Sequence, residues 1–150
     1  MDKIILTPYD INDHSVATEI VSIVKKYYPK VAWPLTAEKV QSGAVVYFKA
    51  MMGETQIGMT GYSLKTPALA ETVKTTVFDE FRGKGYGALL SQAIEDECKR
   101  IGIKKVMTTI YHFNHTMVHI KLKQGYTIEG YHPDHEAPGF HEYSLGKVLK

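Results

Sequence analysis

The sequence predicts a mixed α/β (α+β) fold in a single domain spanning residues 1–150, and three observations carry that expectation. Apolar residues recur at every second position in some segments and at i, i+3, i+4 spacing in others, so strands and helices interleave along the chain. Two strand-like stretches within residues 44–65 are joined by the tight turn Gly53-Glu54-Thr55, which makes that part of the sheet an antiparallel hairpin. The 150 residues are 44% hydrophobic and 23% charged, which suits one compact core.

Taken in order, residues 3–9 (KIILTPY) read as the first strand. Residues 14–28 (HSVATEIVSIVKKYY) follow as an amphipathic helix with Val16, Ile20, Ile23 and Val24 on one face. Thr36 is placed as N-cap of a short helix that stops near Gly43, and the hairpin comes next. Residues 71–78 (ETVKTTVF) are β-branched and pair beside it. After the stretch FRGKGYG (81–87), a helix carries Tyr86, Leu89, Leu90, Ala93, Ile94, Cys98 and Ile101 at helical spacing and ends at Gly102. Residues 104–111 (KKVMTTIY) form a fifth strand. Residues 114–124 form a helix capped by Asn114 and stopped at Gly125, and 126–131 with 140–149 form a closing strand pair. The order is β-α-α-β-β-β-α-β-α-β-β, with no repeat or linker interrupting it.

The formal net charge of +2 is spread among acids, so bulk electrostatics gives no case for nucleic acid. The single Cys98 excludes an internal disulfide and a thiolate zinc cluster, which fits a reducing compartment; on the apolar face of its helix it reads as core. The first residues, MDKIILTPYD, are too polar for a signal peptide, and no run approaches membrane-spanning length. The expectation is a cytoplasmic protein without a membrane partner.

FRGKGYG places three glycines and two cations in seven residues. Bare backbone at the start of a helix lets amide hydrogens approach an anion, and the helix dipole adds to their attraction. A Walker P-loop would need Lys-Ser/Thr after the last glycine, where this chain has Ala88-Leu89. Residues 83–88 fit G-x-G-x-x-G/A, yet the dinucleotide fingerprint needs an acid about 20 residues on, and IGIKKVMTTI has none. The segment resembles instead the acetyl-CoA-binding motif of the GNAT superfamily of N-acetyltransferases, Gln/Arg-x-x-Gly-x-Gly/Ala, which Arg82-Gly83-Lys84-Gly85-Tyr86-Gly87 matches at every defined position. Val77, five residues before Arg82, and Asn114-x-x-Met117 with Gly125-Tyr126 stand at the family's spacing too.

The resemblance implies a central, mostly antiparallel, twisted sheet whose fourth and fifth strands splay apart, flanked by helices. It implies acetyl-CoA as co-substrate: the amides of Arg82, Gly83, Lys84, Gly85, Tyr86, Gly87 and Ala88 on the pyrophosphate, the pantetheine arm between the splayed strands with the acetyl group near Thr75 to Val77, and Asn114 in the binding segment. The Arg82 side chain is either a charge for the phosphates or a structural group. A primary amine is mostly protonated at pH 7, and deprotonating it costs about 4 to 5 kcal/mol, so a base is useful. Glu71 lies six residues before Val77, where the histone-acetylating branch carries its catalytic Glu; on an unbulged strand Glu71, Thr75 and Val77 share a face. The competing reading of Glu71 is a solvated strand-end carboxylate. Many members place a general-acid Tyr seven residues after the motif Asn, and here that position is Lys121, either a buried proton donor or, as the commoner case for a helix Lys, solvated surface. Tyr111, His112 and Tyr143 are substitutes by proximity to the strand ends, with His112 leading as a titrating group.

Six of seven histidines fall in residues 112–141, and His132-x-x-His135 with Asp134 and Glu136 has ligand spacing, but a loop with Pro and Gly preorganises ligands poorly, so no metal is assigned. That segment is either a plain surface loop or a wall for the acceptor, and YYPKVAWP (27–34) is the other candidate wall, with Trp33 equally suited to core packing. The expected activity is transfer of acetyl from acetyl-CoA to a primary amine, on a small molecule or a protein, by direct attack in a ternary complex. A non-catalytic acyl-CoA-binding or regulatory protein is the alternative, and a homodimer is left open.

Overall fold

A computed structural model describes residues 3–29 and 34–150. The elements are β1 (Ile5–Pro8), α1 (His14–Tyr27), α2 (Ala37–Gln41), β2 (Val46–Met52), β3 (Thr55–Thr66), β4 (Leu69–Val77), α3 (Tyr86–Arg100), β5 (Lys105–Tyr111), α4 (His115–Lys123), β6 (Thr127–Ala137) and β7 (Phe140–Val148), with a single 3-10 turn at Asp79–Phe81. The expected order of elements holds throughout. The two expected N-caps are present: the Thr36 side chain accepts from the Lys39 amide and Asn114 from the Met117 amide; a third, not among those expected, is Asp13, which caps α1 through the Ser15 amide. Trp33 lies outside the described residues.

The strands form one seven-stranded sheet in the order β1-β2-β3-β4-β5-β7-β6, antiparallel except where β4 meets β5. One face buries Ala17, Ile20 and Val24 of α1 with Val40 of α2 against Tyr47 and Met59. The other buries Ile94 and Cys98 of α3 against Tyr62, Ala70, Val106 and Leu145, with Met117 and Val118 of α4 alongside, and Leu90 of α3 against Ala50 and Ile57. Pleating assigns alternate residues to the two faces, so register decides which side chains reach which helices.

Two irregularities in register shape the centre. The parallel β4–β5 pairing lasts only from Leu69↔Lys105 to Glu71↔Met107, after which β4 stays with β3 and β5 with β7. The splay expected between the fourth and fifth strands is therefore present, and the Thr108 hydroxyl donates to the Thr72 carbonyl at 3.2 Å near its apex. Within β4, Val73 pairs with Gly61 and Thr76 with Met59, so Lys74 and Thr75 together oppose Thr60 in a β-bulge, and Lys74 adopts φ +54°.

The bulge overturns the face expected for β4. Val73 and Thr76 stand opposite Gly61 and Met59, on the α1 side, and Glu71 shares that parity. Thr75 bonds Thr60 at 2.9 Å and Val77 packs with Leu90, both on the α3 side. One inserted residue thus parts Glu71 from Thr75 and Val77. The histidine-rich segment is also not a loop. β6 runs on to Ala137 through an irregular register between His132 and Ala137, with Asp134 at φ +50° and a turn closed by the Gly139 amide on Asp134 Oδ1 at 2.7 Å. Pro133 fits there because β6 is an edge strand, where a missing amide costs no ladder bond.

Candidate active site

The splay opens a cleft of about 170 Å³ that passes through the sheet, and its two mouths differ in chemistry. Residues of even number on β5 (Val106, Ile110) pack with α3 and Leu145, so Thr109 and Tyr111 face the α1 side. Glu142 stands opposite Tyr111 in the β5–β7 register and shares that side. The α1-side mouth accordingly collects Tyr28, Glu71, Lys74, Tyr111, Glu136 and Glu142; the other mouth collects Thr72, Thr108, Ile110, Met117 and Lys121.

At the α1-side mouth, Glu142 is 4% exposed, and burial first, then the Glu136 carboxylate, push its carboxyl up to about 7. His135 stands 3.7 Å from it. Tyr111 donates to Glu136 Oε2 at 2.9 Å, while burial and that carboxylate raise the phenol far above its ordinary range. Lys74 lies 4.5 Å above the Tyr28 ring, and burial lowers its pKa. Tyr28 itself donates from its hydroxyl to the Thr75 carbonyl at 3.3 Å, tying the end of α1 to the bulge. Glu71 meets Lys65 at 3.4 Å.

At the opposite mouth, Lys121 is 2% exposed, and its Nζ finds no hydrogen-bond partner among the described residues. It rests 4.6 Å above the Tyr126 ring, and burial brings its ammonium down to about 8. The commoner expectation for a helix Lys, solvated surface, is therefore wrong here: α4 packs onto the sheet with Lys121 pointing inward, where Gln124 fastens it to α3 through Ser91 Oγ at 2.7 Å and the Ala88 carbonyl at 2.9 Å.

The glycine turn sits at the start of α3. Gly83 and Gly85 adopt φ +77° and +82°, a region that side chains resist, and Gly85 caps the helix with no side chain over its end. The amides of residues 83–88 have no carbonyl partner in the surrounding turns among the described residues, whereas the Arg82 amide is spent on the Asp79 carbonyl at 3.3 Å. Arg82 Nε donates to the Val77 carbonyl at 3.1 Å and lies 3.6 Å from Asp79, contacts that hold the turn against the end of β4. Lys84 is exposed beside the open amides. A cradle of free, fixed amides at a helix start fits a pyrophosphate, and the splay fits an extended arm.

Of the sequence-derived candidates, Glu71, Thr75, Tyr111, Asn114 and Lys121 line the cleft. His112 and Tyr143 do not: the first is held by the His141 carbonyl at 3.2 Å, and the second packs at a tilt against Tyr131 with ring centres 5.5 Å apart. Val77 packs into the core beneath the glycine turn. Cys98 is buried as expected, its thiol pushed up to about 11. Sequence reasoning missed Glu142, Glu136 as a cleft residue, Lys74 and Tyr28. The residues 27–34 pointed to Tyr28 only as part of a wall, and nothing local marks Glu142, whose place follows from the β5–β7 register.

A family model described as the Acetyltransferase (GNAT) family matches residues 12–126. No curated protein matches the sequence. Among solved structures, a GNAT-family acetyltransferase from Streptococcus pneumoniae superposes with a TM-score of 0.74 at 15% identity, over 98% of this chain and 100% of that one. A ribosomal-protein alpha-N-acetyltransferase in complex with Coenzyme A gives 0.76 at 14%, over 98% and 94%. An aminoglycoside 6'-acetyltransferase gives 0.74 at 17%, over 96% of both chains. At these identities the superpositions speak to the fold.

Proposed function

The chain belongs to the GNAT acetyltransferase family, and from that premise we propose that it acetylates a primary amine with acetyl-CoA, by direct attack in a ternary complex. The observation that supports this reading best is the cleft through the sheet, with carboxylates at one mouth and a buried ammonium at the other. An amine must lose a proton and a thiolate must gain one, and those two groups stand on opposite sides of the reacting carbonyl. The two mouths supply the two functions separately.

The free amides of residues 83–88, with Lys84 beside them, bind the pyrophosphate of the coenzyme, which when bound supplies an acetyl group activated as a thioester. Asn114 lines the cleft, its side-chain oxygen being engaged as the cap of α4. Thr75 lies where the bulge turns β4, and backbone amides there are free to face the acetyl oxygen once the strand has left β5. Glu142 takes the proton from the incoming ammonium, since a carboxyl held near 7 can both accept and release a proton at neutral pH. Glu71, on the same side, draws the cationic acceptor toward the mouth. Lys121 Nζ holds a proton for the departing sulfur, in place of the phenol common in the family.

The buried Lys121 weighs against the non-catalytic alternative, whose motive was a missing acid at that position. Release of free thiol from acetyl-CoA, followed with a panel of small primary amines and amine-terminated peptides, tests the proposal. Turnover with at least one class is expected. Binding of acetyl-CoA with no release above hydrolysis for any amine would return the non-catalytic reading.

A further inference from the structure

Behind the Lys121 mouth lies a second groove, lined in part by Glu95, Gly125, Gly146 and Lys147, and between groove and cleft sits a cluster of buried charges. Three atoms in that cluster have no hydrogen-bond partner among the described residues: Lys121 Nζ, Glu95 Oε1 and Tyr126 Oη. Glu95 is 5% exposed on the core face of α3, in line with Ser91, Ile94 and Cys98. Its other oxygen accepts from Lys147 Nζ at 2.9 Å and from Gln92 Nε2 at 3.2 Å. Both ammoniums approach the Tyr126 ring, Lys121 at 4.6 Å and Lys147 at 5.9 Å from its centre. The cluster therefore holds two ammoniums and one carboxylate in a site closed to water on the Lys121 side. A buried amine left alone sheds its proton, because the charged form loses its hydration and gains nothing in return.

We propose that Glu95 is a positioning residue that keeps Lys121 protonated inside the fold, with Lys147 competing from the second groove for the same carboxylate. The inference rests on the reading of Lys121 as proton donor. The groups that face Lys121 are Glu95 and Cys98 from α3, Tyr126 after α4 and Lys147 from β7. Burial draws the ammonium down, the Glu95 carboxylate opposes that, and Lys147 adds to it. Cys98 is neutral at pH 7 because burial pushes its thiol to about 11, and the Tyr126 phenol is pushed higher still, so Glu95 is the one negative charge among them. The carboxylates of the cleft lie at its far mouth.

The test titrates the full chain, without acetyl-CoA, by carbon NMR of lysines labelled at the ε position, with the Lys121 signal assigned from its loss in Lys121→Met. Glu95→Gln keeps shape and hydrogen-bonding capacity while removing the charge, and is expected to move the Lys121 midpoint down by about one pH unit, a tenfold change in its acid constant. Glu95→Asp, which keeps the charge, restores most of that change. Lys147→Met moves the midpoint the other way. An unmoved or raised midpoint in Glu95→Gln overturns the proposal, and if that variant does not fold, an unmoved or lowered midpoint in Lys147→Met does so. The alkaline limb of kcat, where turnover falls as the donor loses its proton, separates this inference from the one beneath it. Should the NMR midpoint move while that limb stays, the donor role of Lys121 fails and the hold of Glu95 on its proton stands.

Discussion

The start of α3 and the floor of the cleft treat polar groups in opposite ways. At the helix start the backbone leaves a row of amides without carbonyl partners among the described residues, fixed by two glycines with positive φ, and exposes them to solvent. On the cleft floor the fold buries side-chain charges and leaves one of them, Lys121 Nζ, without a hydrogen-bond partner among the described residues. The first arrangement is cheap, because water solvates the amides until a phosphate replaces it. The second costs several kcal/mol in lost hydration, and it shifts proton affinities as a consequence. Binding and proton transfer are thus assigned to two regions whose energetics differ in kind, and each can be broken without the other.

The largest effect is expected at the helix start. Gly87 is the informative position, since its φ is ordinary and a Cβ there would meet only Ile120 Cδ1 at 3.6 Å. Gly87→Glu places a carboxylate among the free amides without backbone strain, and near a helix N-terminus that charge is mildly favourable to folding, by about 0.3–1 kcal/mol. Acetyl-CoA raises the melting temperature of the parent by mass action. In Gly87→Glu that rise should vanish while the unliganded melting temperature stays within a few degrees. A retained rise would place the anion site elsewhere. NADH is expected to stabilise neither protein.

The same contrast explains what could be read from the sequence. Everything at the helix start is local: Arg82 through Gly87 adopt their turn because of their own residue types, so the motif alone located it. The order of elements and their caps, Thr36 and Asn114 included, are local as well. The cleft floor is not. Lys121 is inward because α4 packs on the sheet, and Glu142 reaches the cleft because it pairs with Tyr111 across thirty-odd residues of chain. The bulge at Lys74 is invisible in ETVKTTVF, since Lys is no special favourite for φ +54°, and it reversed the face that spacing gave to Glu71.

Next in size is Lys121→Met, which fills the same space and removes the proton. Turnover should fall by about a hundredfold or more, with acetyl-CoA stabilisation intact, because the group acts on the leaving sulfur and not on the phosphates. A loss within about twofold would make the buried amine a structural remnant. The alkaline limb of the parent's kcat should lie near the Lys121 value of about 8, turnover falling as pH rises through it.

The smallest and most discriminating effects concern the two carboxylates at the other mouth. As a base, Glu142 must be ionised, so turnover rises with pH through its value of about 7. Glu142→Gln should remove that limb and cost about ten- to a hundredfold at pH 7. Glu71→Gln, which leaves the proton acceptor in place and weakens attraction of the cationic amine, should act mainly on KM for the acceptor, by a few-fold. The reverse ranking, with the acid limb lost in Glu71→Gln and kept in Glu142→Gln, would hand the base role to the residue that spacing alone had favoured. Glu136→Gln sharpens the assignment further. The Glu136 charge is, after burial, the second reason the Glu142 carboxyl is raised, so removing it lowers that pKa and displaces the acid limb toward lower pH. His135, 3.7 Å from Glu142, and Lys74 pull the same way when charged, so a displacement of the limb to higher pH in Glu136→Gln has no source in this mouth, and observing one would show that the titrating base is not Glu142.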